Sequence, residues 1–271
     1  MNLSDTTFII PARVDSQDRL RNINLICKFL LSNFDCKIIV KESDSTQKIN
    51  IADIEHPRLI YVYEKTNDVF FHKTKLLNDM IVMCDTEVIV QYDADILLPL
   101  SSYVEASHMV KNGYDAVYPF IHGNYSSKKV DLDVDSEKKF YENFDFNVLD
   151  SCSQPWEPNN NYGFAHFGFC TFYNSKSYFN GFLENEEFYS GGPEDQEIHH
   201  RFVKLGLNVG RVNNLVYHIE HQRGNFSAEN NDVYMNNIDL YNRIMNMSKE
   251  ELINYYSNAP YFLKRKKKFS D

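Results

Sequence analysis

No stretch of the chain approaches the ~18 uninterrupted apolar residues that a membrane-spanning helix needs. Positive charge is scarce as well, with 28 lysines and arginines against 38 aspartates and glutamates, for a formal net charge of -10. That balance argues against a nucleic-acid partner, whose phosphates must be neutralised. It does not bar a nucleotide ligand, because a bound divalent cation supplies the missing positive charge. The five cysteines, Cys27, Cys36, Cys84, Cys152 and Cys170, show neither zinc-site spacing nor pairing, as expected of small buried residues in a reducing cytosol. Residues 1–10 lack a charged start followed by an apolar run, so no signal peptide is expected and the chain reads as cytoplasmic. Internal repeats and composition breaks are missing too, so a single domain is expected. What is present is ample core material: 43% of the 271 residues are hydrophobic and 14% aromatic.

The first two-fifths alternate strand and helix signals. Thr7-Phe8-Ile9-Ile10, closed by Pro11, reads as a buried strand. Ser16 is placed to cap a helix whose apolar residues Leu20, Ile23, Cys27, Leu30 and Leu31 recur at helical spacing. Lys37–Lys41 and Leu59–Tyr63 read as strands, Leu76, Leu77, Met80 and Ile81 as a helix face, and Val88-Ile89-Val90 as another strand. This order implies an α/β domain with a mostly parallel twisted sheet and helices on both faces. Farther on, Ala116–Phe120 and Phe167–Tyr173 look like strands. The polar stretch from Gly123 to Asn161 reads as a long functional or mobile connection. Glu194–Leu205 should be a helix stopped by Gly206, and Ser248 with Glu251 forms a capping-box pattern.

Three constellations carry chemistry. Asp93-Ala94-Asp95 follows Val88–Tyr92, where a parallel strand ends and ligands bind. Residues two apart on an extended backbone point the same way, so both carboxylates converge on a hard cation or a polar ligand, or else they cap the next helix. His218-Ile219-Glu220-His221 follows the apolar run Leu215-Val216-Tyr217. Two imidazoles with an aspartate would make a mixed nitrogen–oxygen site that favours Mn²⁺, or else they are surface histidines beside Glu220 and Arg223. Ser190-Gly191-Gly192-Pro193-Glu194-Asp195 combines glycines that let backbone approach a ligand with acids in a first helical turn. Those acids are either macrodipole partners or a general base. His199 and His200 have no such pattern and read as structural.

In this order, the three constellations resemble the β-1,4-galactosyltransferases and their relatives, inverting glycosyltransferases with the nucleotide-sugar-binding GT-A fold. The resemblance extends to Phe71-His72-Lys73-Thr74-Lys75-Leu76-Leu77-Asn78, to Asp93–Pro99 and to His166-Phe167-Gly168-Phe169, and spans about Pro11 to Gly224. It implies that Asp95, His218 and His221 bind the metal, Mn²⁺ or alternatively Mg²⁺. It implies that Pro11, Arg13, Lys73, Asp93 and Gly192 serve a UDP-sugar donor, with Glu42 or Asp44 near the uracil. Asp195 is then the catalytic base and Glu194 the acid that contacts the acceptor, an oligosaccharide or lipid-linked glycan. Residues 1–258 would form the GT-A domain, with 1–100 as its nucleotide-binding half and 101–258 as its acceptor and metal half.

The chain departs from the family in three places. Phe188, Tyr189 and Ser190 stand where the family has tryptophan before its glycines, which makes Tyr189 or the single Trp156 the candidate to stack on a sugar. Pro193 is an insertion, and His166 replaces a tyrosine near the donor sugar, leaving galactose and N-acetylgalactosamine both open. Rival readings are a sugar-nucleotide pyrophosphorylase, a retaining N-acetylgalactosaminyltransferase-like enzyme and a catalytically silent carbohydrate- or metal-binding subunit. The pyrophosphorylase lacks its expected basic glycine loop here, because Pro11-Ala12-Arg13-Val14-Asp15 is not one. Residues 259–271 form a basic tail in which Lys264, Arg265, Lys266, Lys267 and Lys268 are either solvated or contact anionic lipid at the inner face of a membrane.

Overall fold

The computed structural model describes residues 1–123, 126–155, 167–222 and 232–266. Its first elements are β1 (Thr6–Ala12), α1 (Gln17–Asn33), β2 (Lys37–Asp44), α2 (Ile51–Ile54), β3 (Leu59–Lys65), α3 (Lys73–Ile81) and β4 (Val88–Tyr92). Every residue of β1 and β4 is buried, as their continuous apolar runs demand. Ser16 caps α1 by accepting from the Arg19 amide at 3.2 Å. After β4 come β5 (Ile96–Leu97), α4 (Leu100–Lys111), β6 (Ala116–Tyr118), β7 (Ser127–Val130), α5 (Val134–Asn143), α6 (Phe146–Ser151) and β8 (Ser153–Pro155). The chain continues through β9 (Cys170–Asn174), α7 (Ser175–Asn180), α8 (Glu194–Leu205), β10 (Val209–Arg211), β11 (Val216–Ile219), α9 (Asp232–Met245), α10 (Lys249–Ser257) and α11 (Pro260–Lys266).

Among the described residues the main sheet has seven strands in the order β10-β6-β9-β4-β1-β2-β3. All its neighbours are parallel except β9, which runs antiparallel between β4 and β6. Alternate residues of β1 enter opposite cores: Phe8 and Ile10 pack with α1, while Ile9 joins Leu77 and Met80 of α3 on the other face. The α/β expectation with helices on both faces is therefore met, and the sheet runs through residues on both sides of position 100. The strand expected from Phe167 starts only at Cys170, because Phe169 has a φ of 74° and breaks the extended run.

The stretch from Gly123 onward is not a connection, as the sequence had suggested. Its described part supplies α5, α6 and the strands β7 and β8, which join β5 and β11 in a second sheet of order β5-β11-β7-β8. Val130 and Leu132 enter the main core, and Val216 to Ile219 pair in parallel with Ser127 to Val130. Asn124, Tyr125, Trp156 and His166 lie outside the described residues, as do Arg223–Asn231, Lys267 and Lys268. Among the described residues no helix is long and apolar enough to cross a membrane.

The basic tail differs from expectation in its first part. Tyr261 and Phe262 of α11 are buried in the core, and Phe262 stacks against Phe179 at 5.0 Å between ring centroids. Arg265 is 6% exposed, with its guanidinium 2.5 Å from both Asp79 and Glu186. It is thus withdrawn from the candidate lipid contacts, whereas Lys264 and Lys266 are exposed.

Candidate active site

The turn after β4 positions the site. The Tyr92 hydroxyl donates to the Ile96 carbonyl at 2.5 Å and meets the Tyr103 hydroxyl at 2.6 Å, and the Asp93 amide donates to the Phe169 carbonyl at 2.9 Å. These buried bonds fix the loop, and its two aspartates line one cleft while meeting different partners. Asp93 meets Lys73 at 3.0 Å, whereas Asp95 Oδ2 lies 3.0 Å from His221 Nε2 and 3.8 Å from His218 Nε2.

The ligand atoms of Asp95, His218 and His221 all lie within 4.8 Å of one another. His218 is on β11, paired with Ile96 of β5, and the Ile219 amide donates to the Asp95 carbonyl at 2.7 Å. Three residues near the start of α1 hold the following turn: Asn22 donates to the Ile219 carbonyl, Arg21 to the Glu220 carbonyl, and Asp18 accepts from the Gln222 amide. Each imidazole also has its other nitrogen engaged. His218 Nδ1 lies 3.1 Å from Glu220 Oε1, and His221 Nδ1 lies 3.0 Å from the Gln222 carbonyl. A metal-ligating histidine needs this partner, since it puts the proton on Nδ1 and leaves the Nε2 lone pair for the metal. Burial would raise the Asp95 carboxyl, but His218 and His221 hold it below the usual carboxylate range. Two nitrogens and one oxygen at this spacing fit a divalent cation with open positions for a ligand.

Lys73 opens α3 and sits between two carboxylates, 3.0 Å from Asp93 and 3.6 Å from Asp195. Burial lowers its affinity for a proton, but those two charges more than offset that and raise it well above the usual lysine value. Asp93 is pushed up by burial despite Lys73. Beside Asp195, Glu194 lines the cleft at 7% exposure, and its Oε2 is buried without a hydrogen-bond partner. Burial first, and then the Asp195 charge, raises its carboxyl well above the usual range. Gly168 backs Asp195 closely, since a Cβ there would fall 2.5 Å from Asp195 Oδ2.

Most of these groups border a cleft of about 340 Å³, a volume suited to a small ligand, while Asp195 and His218 stand behind its lining residues. Pro11, Arg13, Lys73, Asp93, Asp95, Glu194 and His221 line it. Arg13 mainly ties loops together, donating to the Ser43 and Val69 carbonyls at 3.1 Å each. Glu42 and Asp44 are turned to their own neighbours. Glu42 is fully buried and accepts from the Lys48 and Ile49 amides and the Tyr61 hydroxyl, and Asp44 pairs with Lys48 at 2.8 Å. At Gly192 the missing side chain makes room for Asn237 rather than for a ligand, because a Cβ there would fall 2.9 Å from Asn237 Nδ2.

Asn237, buried on α9, was missed by sequence reasoning. It donates to the Tyr189 and Gly191 carbonyls and accepts from the Tyr189 amide, pinning the loop that leads into α8. Arg19 and Asp15, also on the cleft wall, were missed too. Nothing local marks Asn237, whereas the i, i+4 spacing of Asp15 and Arg19 was a readable signal. Tyr189 packs edge-on against His72 at 4.7 Å and against Phe70 at 5.9 Å. His199 packs on Phe167 at 4.4 Å, and His200 Nδ1 meets the Tyr241 hydroxyl at 2.9 Å.

No protein-family model and no curated protein matches the chain. Solved structures do. S. aureus TarS, residues 1–349, in complex with UDP-GlcNAc, matches with a TM-score of 0.56 at 12% identity, over 98% of this chain and 73% of that one. The catalytic domain of Drosophila β1,4-galactosyltransferase 7, in complex with xylobiose, matches with a TM-score of 0.50 at 13% identity, over 90% of this chain and 82% of that one. These likenesses define the class: the chain has the GT-A fold, a single α/β domain on a mixed, mostly parallel sheet. They do not single out the β-1,4-galactosyltransferases, since TarS matches at least as well.

Proposed function

We propose that the protein is a metal-dependent inverting glycosyltransferase. In this reading it moves a hexose or N-acetylhexosamine, galactose or N-acetylgalactosamine being the first to try, from a UDP-sugar to a hydroxyl of a glycan acceptor in surface-polysaccharide synthesis. The observation that carries the reading is the Asp95–His218–His221 cluster at the carboxyl end of β4, with both Nδ1 atoms already occupied by acceptors. The fold shared with a structure that holds UDP-GlcNAc supports the donor class.

A divalent cation bound there, Mn²⁺ before Mg²⁺, supplies positive charge opposite a leaving diphosphate. The protein's own groups do the rest. Pro11 and Arg13 shape the nucleotide end of the cleft, and Asp93 faces the ribose or uracil. Glu42 and Asp44 act indirectly, by fixing the end of β2. Lys73, between Asp93 and Asp195, holds both carboxylates in place beside the donor. Asp195 takes the proton of the attacking acceptor hydroxyl, and displacement from the opposite face inverts the anomeric centre. Glu194, raised by burial, donates a hydrogen bond to the acceptor.

We place the enzyme in the cytoplasm. Lys264 and Lys266, with Lys267 and Lys268 beyond the described residues, are the proposed contact with anionic lipid that presents a lipid-linked acceptor. A screen of UDP-sugars with Mn²⁺, reading UDP release, tests the donor class. NMR of the product's anomeric configuration separates inversion from retention.

A further inference from the structure

The cleft is poor in positive charge that is free to meet a diphosphate. Its wall carries Arg13, Arg19 and Lys73 against Asp15, Asp93, Asp95 and Glu194. Lys73 is held by two carboxylates, and Arg13 spends its Nε and Nη1 on backbone carbonyls and lies 5.5 Å from the Phe71 ring centre.

Arg19 differs from both. It stands in the first turn of α1 and lines the cleft together with Asp95 and His221. Its Nε lies 2.8 Å from Asp15 Oδ1, yet that buried nitrogen has no aligned hydrogen-bond partner. The pair is therefore electrostatic contact without a well-made hydrogen bond, and the guanidinium stays available to a planar fork of oxygens. Asp15 itself is 38% exposed on the wall of a cleft meant for an anion. A carboxylate there opposes a diphosphate through space, unless its work is to park the arginine until the ligand arrives.

Resting on the UDP-sugar reading above, we infer that Arg19 is the diphosphate-binding cation at the metal end of the cleft, and that Asp15 is the competing carboxylate that holds it when no nucleotide is bound. Binding trades the Arg19–Asp15 contact for Arg19–phosphate contacts. The two substitutions must then act in opposite directions, an outcome that a scaffold ion pair does not produce. Arg19→Met removes the phosphate partner, whereas Asp15→Asn removes both the competitor and the repulsion.

Calorimetric titration of UDP, UMP and uridine into the full chain with Mn²⁺ tests this. Arg19→Met is expected to weaken UDP binding by about tenfold to a hundredfold, the scale of a charge-assisted pair, with uridine unchanged. Asp15→Asn is expected to tighten UDP severalfold. The inference is overturned, and the transferase reading kept, if wild-type protein binds UDP with Mn²⁺ while Arg19→Met leaves that affinity intact. It is equally overturned if Asp15→Asn weakens UDP as much as Arg19→Met does, since that pattern belongs to a structural pair. Wild-type protein that binds no UDP with Mn²⁺ overturns both the inference and the reading beneath it. Because Asp15→Asn keeps Arg19, misfolding of Arg19→Met alone leaves the asparagine variant to decide.

Discussion

Adding one methyl group at Gly168 should separate catalysis from folding. A Cβ there would fall 2.5 Å from Asp195 Oδ2 and 3.3 Å from its Cγ. The backbone at Gly168 is not in the left-handed region, so alanine meets no conformational barrier of its own. Relief must come from the carboxylate, the mobile end of the contact. To reach ordinary contact at 3.4 Å, the Asp195 oxygen must retreat by about 0.9 Å. With Asp195 as the proposed base, which must meet the acceptor hydroxyl within hydrogen-bonding distance, a shift of that size costs on the order of 10²-fold in turnover. The stability cost should stay below about 1 kcal/mol, or roughly 3 °C in Tm, because a side-chain end rather than the core gives way. Gly168→Ala is therefore expected to lose about 10²-fold in kcat for UDP release, with UDP binding and Tm nearly unchanged. If Gly168→Ala turned over at the wild-type rate, either Asp195 would not be the base or its position would not matter, and the mechanism would fail.

Three further outcomes follow from the same geometry. Asp195→Asn should lower kcat by ~10²–10⁴ while donor binding measured by titration persists; full activity would remove Asp195 from the mechanism. Glu220→Gln leaves all three ligands in place but weakens the partner of His218 Nδ1, so Mn²⁺ affinity should fall about 10–100-fold, and an unchanged Mn²⁺ titration would refute that role. Arg265→Met leaves Asp79 and Glu186 short of a buried cation, at about 3 kcal/mol, which calorimetry should show as a drop of several degrees in Tm at neutral pH. Its acid limb carries a sign as well. Burial raises the Asp79 carboxyl, but Lys41 and Arg265 hold it at about 2, below the unfolded value of 3.8. That contribution is complete above pH 3.8 and is lost as pH falls through about 2, so the variant should show a shallower loss of Tm across this window.

Much of the fold was legible because its signals are local. The apolar runs of β1 and β4, the Ser16 cap, Glu194–Leu205 ending at Gly206 and the Ser248–Glu251 box all announce themselves within a few residues. The second sheet did not. Ser127–Val130 and Ser153–Pro155 lack alternation and become strands only through pairing with each other and, for the former, with β11. The candidate metal site was readable as three residue types in order, but its geometry depends on Asn22 and Arg21, which act across 197 and 199 residues of sequence. Glu42 shows the reverse error. A carboxylate at a strand end looks like a ligand group until the Lys48 and Ile49 amides claim it. Arg265 illustrates the same limit: within a run of lysines nothing distinguishes the one cation that turns inward to Asp79 and Glu186.

The most direct test of the account is UDP release from a panel of UDP-sugars, measured with Mn²⁺ and again after chelation, for wild-type protein and His221→Ala. The account predicts Mn²⁺-dependent release from at least one donor, stimulated by a glycan acceptor and abolished both by chelation and by the alanine variant. Release that continues undiminished without metal, or no release from any UDP-sugar, would contradict it.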